Sequence, residues 1–315
     1  YFIIFNYISI MIKKLVEINK KDSEGNIHEE NQYLNLIHDI IEENNIVSGR
    51  NGNVLTTIGS VMHFDLSNMT IPIFTTKKVA WKTCAKELFW FIKGSTSNEI
   101  LNNQNVKIWN KNASREFLDS RGLLNLKEND LGPVYGHQWR HFNADYIDCN
   151  TNYLGKGIDQ LQYLIDCLKD PVERYSRRLI LSAWNPCQID QMALPPCHVL
   201  LHLNVIDNKL SGILYQRSGD LGLGVPFNIM SYSLLIHIIG KHCGLEVKEF
   251  IYYLGNAHIY DDHVESLKQQ LKKKPYEFPK LKILNKYENI QDYSLNDLEI
   301  IDYKSHNTIK MQMRK

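Results

Sequence analysis

Apolar residues recur at helical spacing first across residues 30–44, where Tyr33, Leu34, Leu36, Ile37, Ile40 and Ile41 predict an amphipathic helix. Residues 48–53 are polar and glycine-rich and read as a turn. Residues 54–66 then carry Val54, Leu55, Ile58, Val61, Met62 and Phe64 in a β-type run. A helix is expected over 82–93, ended by Gly94, and a polar surface excursion over 122–132. Another helix over 159–169 stops before Pro171. Three β-type runs follow at 178–184, 198–206 and 209–217, then a largely apolar helix at 227–243. A strand at 248–254, a polar loop through 263 and a helix at 262–274 ended by Pro275 complete the pattern. Strands and helices mix without regular βαβ alternation, which predicts an α+β fold in one domain. The three runs between 178 and 217 are expected to share a central sheet.

Composition narrows this picture without choosing a function. At 315 residues, with 43% hydrophobic and 23% charged residues, the chain can bury a large core. A formal net charge of +1 provides no general field for nucleic acid or an anionic membrane, so any anion site must be built locally. RNA binding is left open, since no segment indicates it. The six cysteines are scattered without a C-x-x-C pair, as expected for reduced thiols in a cytoplasmic protein, with a nuclear or organellar pool left open. No run approaches the roughly 20 apolar residues that span a bilayer. Residues 1–28 are expected to be a flexible or artefactual N-terminal extension.

Candidate chemistry centres on Pro195-Pro-Cys-His198. A buried cysteine is usually inert, and at an unperturbed pKa only ~3% is thiolate at neutral pH. An arginine on an adjacent strand can lower that pKa by about one to three units and make the thiolate dominant. Arg217, closing the run 209–217, is placed to do so. A thiol hydrolase reading would need His198 as base toward its own neighbour, and consecutive strand residues face opposite ways. Arg177 and Arg178 point to opposite faces if extended, as a solvated pair or as a phosphate clamp. Arg50 lies in the polar turn. His258 and His263 tempt a metal reading, but five-residue spacing does not stack them on a helical face. A loop offering hydrogen bonds to a sugar fits them better. The glycines at 222 and 224 lack the strand–glycine–helix context of a dinucleotide fold.

Six runs in one order carry a specific resemblance. They are Asp130-Leu-Gly-Pro-Val-Tyr-Gly-His-Gln-Trp-Arg-His141, Arg177-Arg-Leu-Ile-Leu-Ser-Ala-Trp-Asn-Pro186 and Met192-Ala-Leu-Pro-Pro-Cys-His198. The others are Tyr215-Gln-Arg-Ser-Gly-Asp-Leu-Gly-Leu-Gly-Val-Pro-Phe-Asn228, Leu254-Gly-Asn-Ala-His-Ile-Tyr260 and Ile309-Lys-Met-Gln-Met313. With them the chain resembles the thymidylate synthase family, of eukaryotic or protozoan type, with residues 29–315 as the catalytic domain. The resemblance implies a large central mixed sheet flanked by helices and a sheet-to-sheet homodimer.

It also implies reductive methylation of dUMP to dTMP. Methylenetetrahydrofolate would supply the carbon and the hydride and leave as dihydrofolate, with no NADPH and no metal. Cys197 would add to carbon 6 of the uracil. Glu87 would be the general acid–base and Tyr135 would serve removal of the carbon 5 proton. Arg50, Arg217 and Ser218 would hold the phosphate, joined by Arg177 and Arg178 from the partner subunit. Asn228 would read uracil, with Gln216 and Asp220 in the same site, and His258 and Tyr260 would contact the ribose. Asp220 would also meet the pterin, with Ile108, Trp109, Leu221, Gly222, Phe227 and Met313 around the folate. The chain departs from the family pattern in a shorter loop after Arg50, His202 and Asn204 in the strand after Cys197, Asn256 in place of aspartate, and the ending Met313-Arg-Lys315.

Overall fold

The amphipathic pattern near the start folds as α1 (Asn31–Glu43), which buries Tyr33, Leu34, Ile37 and Ile40. Asn44 ends it in the left-handed region at φ 52°, its N–H donating to the Ile40 carbonyl. The structure is a computed structural model that describes residues 20–49 and 52–314. Residues 20–28 turn back against α1, where Asn31 Nδ2 donates to the Lys20 carbonyl at 3.0 Å.

Among the described residues six strands form the central sheet: β1 (Ile46–Gly49), β2 (Gly52–Asp65), β3 (Ile180–Ser182), β4 (His198–Ile206), β5 (Lys209–Asp220) and β6 (Glu246–Tyr260). Their order is β1-β2-β6-β5-β4-β3, so the three runs expected to share a sheet are neighbours. Only the β5–β6 pairing is parallel, which makes the sheet mixed. Parallel neighbours need a crossover, and the helix between them supplies it.

The crossover runs through the sheet-covering helix. The remaining helices in chain order are α2 (Trp81–Ile92), α3 (Asn98–Asn103), α4 (Arg115–Ser120), α5 (Tyr135–His141), α6 (Gln160–Lys169), α7 (Gly224–Cys243) and α8 (Val264–Leu271). The crossover α7 is buried around most of its circumference, so it shows no single apolar stripe. Gly212 on β5 lets α7 approach, since a Cβ there would collide with the Ile236 side chain. Strands β7 (Lys280–Ile283) and β8 (Leu298–Ile301) form a separate antiparallel pair.

Alternation along β5 and β6 gives the sheet two unlike faces. Leu214, Gln216, Phe250, Tyr252 and Leu254 are buried on one. Tyr215 and Tyr253, directly paired, lie on the other at 43% and 45% exposure, flanked by half-buried Ile213 and Ile251. Among the described residues no helix is long and apolar enough to cross a membrane.

Two sequence expectations are corrected. The segment 255–263 is mostly strand: β6 continues through Tyr260, with His258 paired to Thr56. Its polar Asn256, His258 and Tyr260 alternate with fully buried Ala257 and Ile259, a half-buried strand pattern. The segment 122–132 is also more than a surface excursion. Leu123, Leu126, Asp130 and Leu131 are buried, and Asp130 accepts hydrogen bonds from Gly132 N, Tyr146 Oη and Cys149 N. Burial of such a polar segment is tolerable because its charge is satisfied locally.

Candidate active site

Cys197 immediately precedes β4, and the β4–β5 pairing places it beside Arg217, whose N–H donates to the Cys197 carbonyl at 2.9 Å. The Arg217 guanidinium donates to the carbonyls of Pro196 and Pro195, both at 2.9 Å, and its Nη2 stands 3.8 Å from Cys197 Sγ. It also lies over the Trp184 ring, 5.6 Å from the centroid. Two carbonyls and a ring thus hold one positive pole against the sulfur. Burial nevertheless pushes the Cys197 thiol up, and Arg217 only offsets part of that rise. The expectation that the arginine makes thiolate the dominant form is therefore corrected: desolvation outweighs the guanidinium.

Tyr135, at the start of α5, accepts the Cys197 backbone N–H at 2.7 Å. Burial, with the neighbouring Cys197, pushes the phenol far up, so it stays neutral.

Behind the thiol runs a chain of amides whose polarity is set at one end by a backbone carbonyl. Gln216 Nε2 donates to the Ser218 carbonyl at 2.8 Å, and Tyr252 Oη donates to Gln216 Oε1 at 2.8 Å. Gln216 Nε2 also donates to Asn228 Oδ1 at 3.0 Å. Asn228 Nδ2 then donates to His198 Nε2 at 2.8 Å. A carbonyl only accepts, so each amide in the series has one permitted orientation. His198 is the neutral acceptor at the end, its pKa lowered to about 3 by burial and then by Arg217. Its ring lies tilted against Tyr135, centroids 4.7 Å apart, and as a neutral acceptor already bonded to Asn228 it cannot serve as the base of a thiol pair.

Glu87, on α2, accepts from Trp109 Nε1 at 2.7 Å. Burial raises its carboxyl to about 7 although the Trp109 bond opposes the shift. Phe91, one turn along α2, packs 4.7 Å from Tyr135 and thereby sets that helix against α5.

Asp220 ends β5 and accepts the N–H groups of Gly222 at 2.8 Å and Leu223 at 3.2 Å, turning the chain into α7. Burial works to raise this carboxyl, but His263, the Gly222 N–H and His258 together hold it below the usual range. The turn is fastened from behind by Tyr33 Oη on the Leu221 carbonyl, 2.6 Å, and by buried Lys77 Nζ on the Gly222 carbonyl. Leu221 is fully buried, so in this arrangement it supports the turn from the core. Ile108 and Phe227 are half-buried and Trp109 is buried, while Met313 is exposed with its carbonyl near Lys111 Nζ.

On β6, His258 Nδ1 lies 3.1 Å from Asn256 Oδ1, and Asn256 Nδ2 donates to Thr56 Oγ1 at 2.8 Å. Asn256 thus commits its N–H₂ to the threonine and its oxygen to the imidazole, leaving His258 Nε2 as an acceptor. Tyr260 shares the face of β6 with His258.

Arg177 and Arg178 are exposed in the turn before edge strand β3, not extended as the sequence suggested. The single chain does not bring them into an ion pair among the described residues. Arg50 lies outside the described residues. Sequence reading missed Trp184, Tyr252, Lys77 and the placement of His263; each acts through a contact distant in sequence, which no local pattern announces.

A thiol held against a fixed guanidinium, an oriented amide and a carboxyl that keeps its proton near neutrality define the class: an α+β protein with a cysteine-centred site. A family model described as thymidylate synthase matches residues 31–315. The chain belongs to the thymidylate synthase family. It is 50% identical over 288 residues to the bifunctional dihydrofolate reductase-thymidylate synthase of Plasmodium berghei, covering 91% of this chain and 48% of that protein. It is 49% identical over 287 residues to the thymidylate synthase of Homo sapiens, covering 91% of each. The thymidylate synthase of human herpesvirus 8 is 47% identical, covering 91% of this chain and 84% of that protein. The chain spans about half the length of the bifunctional relatives that it matches.

Proposed function

We propose that this chain converts dUMP to dTMP, with methylenetetrahydrofolate as carbon and hydride donor and dihydrofolate as product. The observation that carries the reading is the oriented Asn228 amide, bonded to Gln216 and to His198, the residue that follows Cys197. After its bonds to Gln216 and His198, Asn228 keeps one N–H and one lone pair. Uracil presents O4 as acceptor and N3–H as donor, which this pair matches. Cytosine presents the reverse, and an inverted Asn228 would face the Gln216 donor with its own donor.

In this reading the Cys197 sulfur adds to carbon 6 and loses its proton. The carbon 5–carbon 6 π pair moves toward O4, where the free Asn228 N–H meets the charge. Arg217 stabilises the sulfur as its charge develops and also faces the phosphate, with Ser218. Carbon 5 then bonds to the folate methylene as one of that methylene's two carbon–nitrogen bonds opens. It loses its proton by way of water ordered at neutral Tyr135 as the second folate nitrogen leaves with the electron pair of its own bond. Glu87, near half protonation at neutral pH, exchanges protons at the folate and at O4. The folate supplies the hydride, so no NADPH and no metal is assigned. Elimination of the Cys197 thiolate frees the product.

His258 and Tyr260 take the ribose hydroxyls, and Asp220 takes the pterin among Ile108, Trp109, Gly222, Phe227 and Met313. The open face with Tyr215 and Tyr253 supports a sheet-to-sheet homodimer, in which Arg177 and Arg178 grip the partner's phosphate beside Arg50. Six free thiols support a reducing, cytoplasmic setting. The test mixes the protein with methylenetetrahydrofolate and either dUMP or dCMP and follows dihydrofolate absorbance. A signal with dUMP and none with dCMP is expected; no signal with dUMP from folded dimer overturns the reading.

A further inference from the structure

His263 closes the 3-10 turn Asp261–His263 between β6 and α8, and its side chain has no accessible surface. Its Nε2 lies 2.7 Å from the Gln312 carbonyl, on a part of the chain remote in sequence. Its Nδ1 lies 3.7 Å from Asp220 Oδ1 and within hydrogen-bond distance of no partner among the described residues. A carbonyl can only accept, so Nε2 carries hydrogen. A neutral ring would then turn a lone pair toward the Asp220 carboxylate, whereas the cation turns an N–H toward it. A side chain at 222 would also collide with Nδ1, so Gly222 is what lets the imidazole lie under the Asp220 turn.

The charged and titratable surroundings favour the cation. Asp262 Oδ1 lies 3.9 Å from Nε2, and the Tyr260 ring stands edge-on at 5.5 Å. Burial and the His263 charge lower the His258 pKa although Asp220 opposes them, so His258 stands by as the neutral ring. Arg314 spends its guanidinium on Asp261 and Asp262, at 3.2 and 3.0 Å. Burial lowers the His263 pKa, but Asp220, the Gln312 carbonyl and Asp262 outweigh it and raise it overall.

We propose that His263 is a positioning residue whose imidazolium ties residues 310–314 to the Asp220 turn, so that seating of this segment and aim of the Asp220 carboxylate are set together. The proposal rests on the reading of Asp220 as the pterin contact. Other bonds to the segment are longer or exposed: Ser266 Oγ and Lys111 Nζ each donate at 3.4 Å, to the Lys310 and Met313 carbonyls. The Arg314 ion pairs are partly exposed and individually weak. The His263 bond is buried, short and charge-assisted, so it dominates.

The experiment compares wild type, His263→Gln and His263→Asn by amide hydrogen exchange of residues 310–314 and by kinetics in both substrates. Glutamine places its amide near Nε2 and asparagine near Nδ1. Exchange across 310–314 should quicken about tenfold or more in the asparagine variant and stay within about threefold of wild type in the glutamine variant. Both should raise KM for the folate about fivefold or more, leave KM for dUMP within about twofold, and remove the wild-type rise of folate KM with pH. Unchanged exchange in His263→Asn overturns the proposal. So does an equal rise of both KM values with the pH limb intact, the result for a merely structural histidine. A wild type without activity on dUMP would overturn the functional reading alone, and exchange would still decide whether His263 holds the segment.

Discussion

Glu87 carries the sharpest consequence at the scale of one residue. Its carboxyl titrates at about 7 in the folded chain against an ordinary 4.5. Between those values the folded state holds a proton that the unfolded state has released, so stability falls as pH rises from about 4.5 to about 7. Glu87→Gln removes that loss. Its melting temperature should exceed that of wild type by more at about pH 8 than at about pH 5, while kcat drops roughly 10²- to 10⁴-fold. A Tm difference that does not change with pH would show that Glu87 is not buried as a neutral acid. Cys197 teaches the complementary lesson. Its place between two prolines and a histidine, and its arginine neighbour, were legible in the chain. The balance between burial and the guanidinium was not, because desolvation depends on every atom packed around the sulfur.

Among elements, α2 is the one on which the site leans most. It presents Glu87 to Trp109, and one turn later Phe91 packs on Tyr135 and on Trp139, at 4.7 and 5.6 Å. Phe91→Ala should cost about 3–5 kcal/mol by denaturant unfolding. It should also lower kcat with little change in KM for dUMP, since Tyr135 loses the ring that seats it; unaltered kcat would separate α2 packing from the chemistry. The helix itself was readable over 82–93 against an observed Trp81–Ile92. Strand β6 was readable only in its first half, because a run of histidine, tyrosine and asparagine masks the alternation with Ala257 and Ile259.

For the whole molecule the prediction concerns subunits. If Arg178 serves the partner's site, Cys197→Ser and Arg178→Glu are each inactive as homodimers. Mixed and allowed to exchange subunits, they should recover about a quarter of wild-type activity, since half the dimers are mixed and each has one intact site. Absence of recovery, with exchange verified by mass, would place both residues in one subunit's site. Periodicity, punctuation and motif order determined by themselves the α+β class, most helices, the three neighbouring strands and the candidates for the site, because these follow from order and spacing along one chain. Only the tertiary structure decided the burial that holds Cys197 as a thiol, the direction of the Ser218–Gln216–Asn228–His198 series and the place of His263 under the Asp220 turn. Those depend on partners far apart in sequence, where packing sets both the local dielectric and which atom donates.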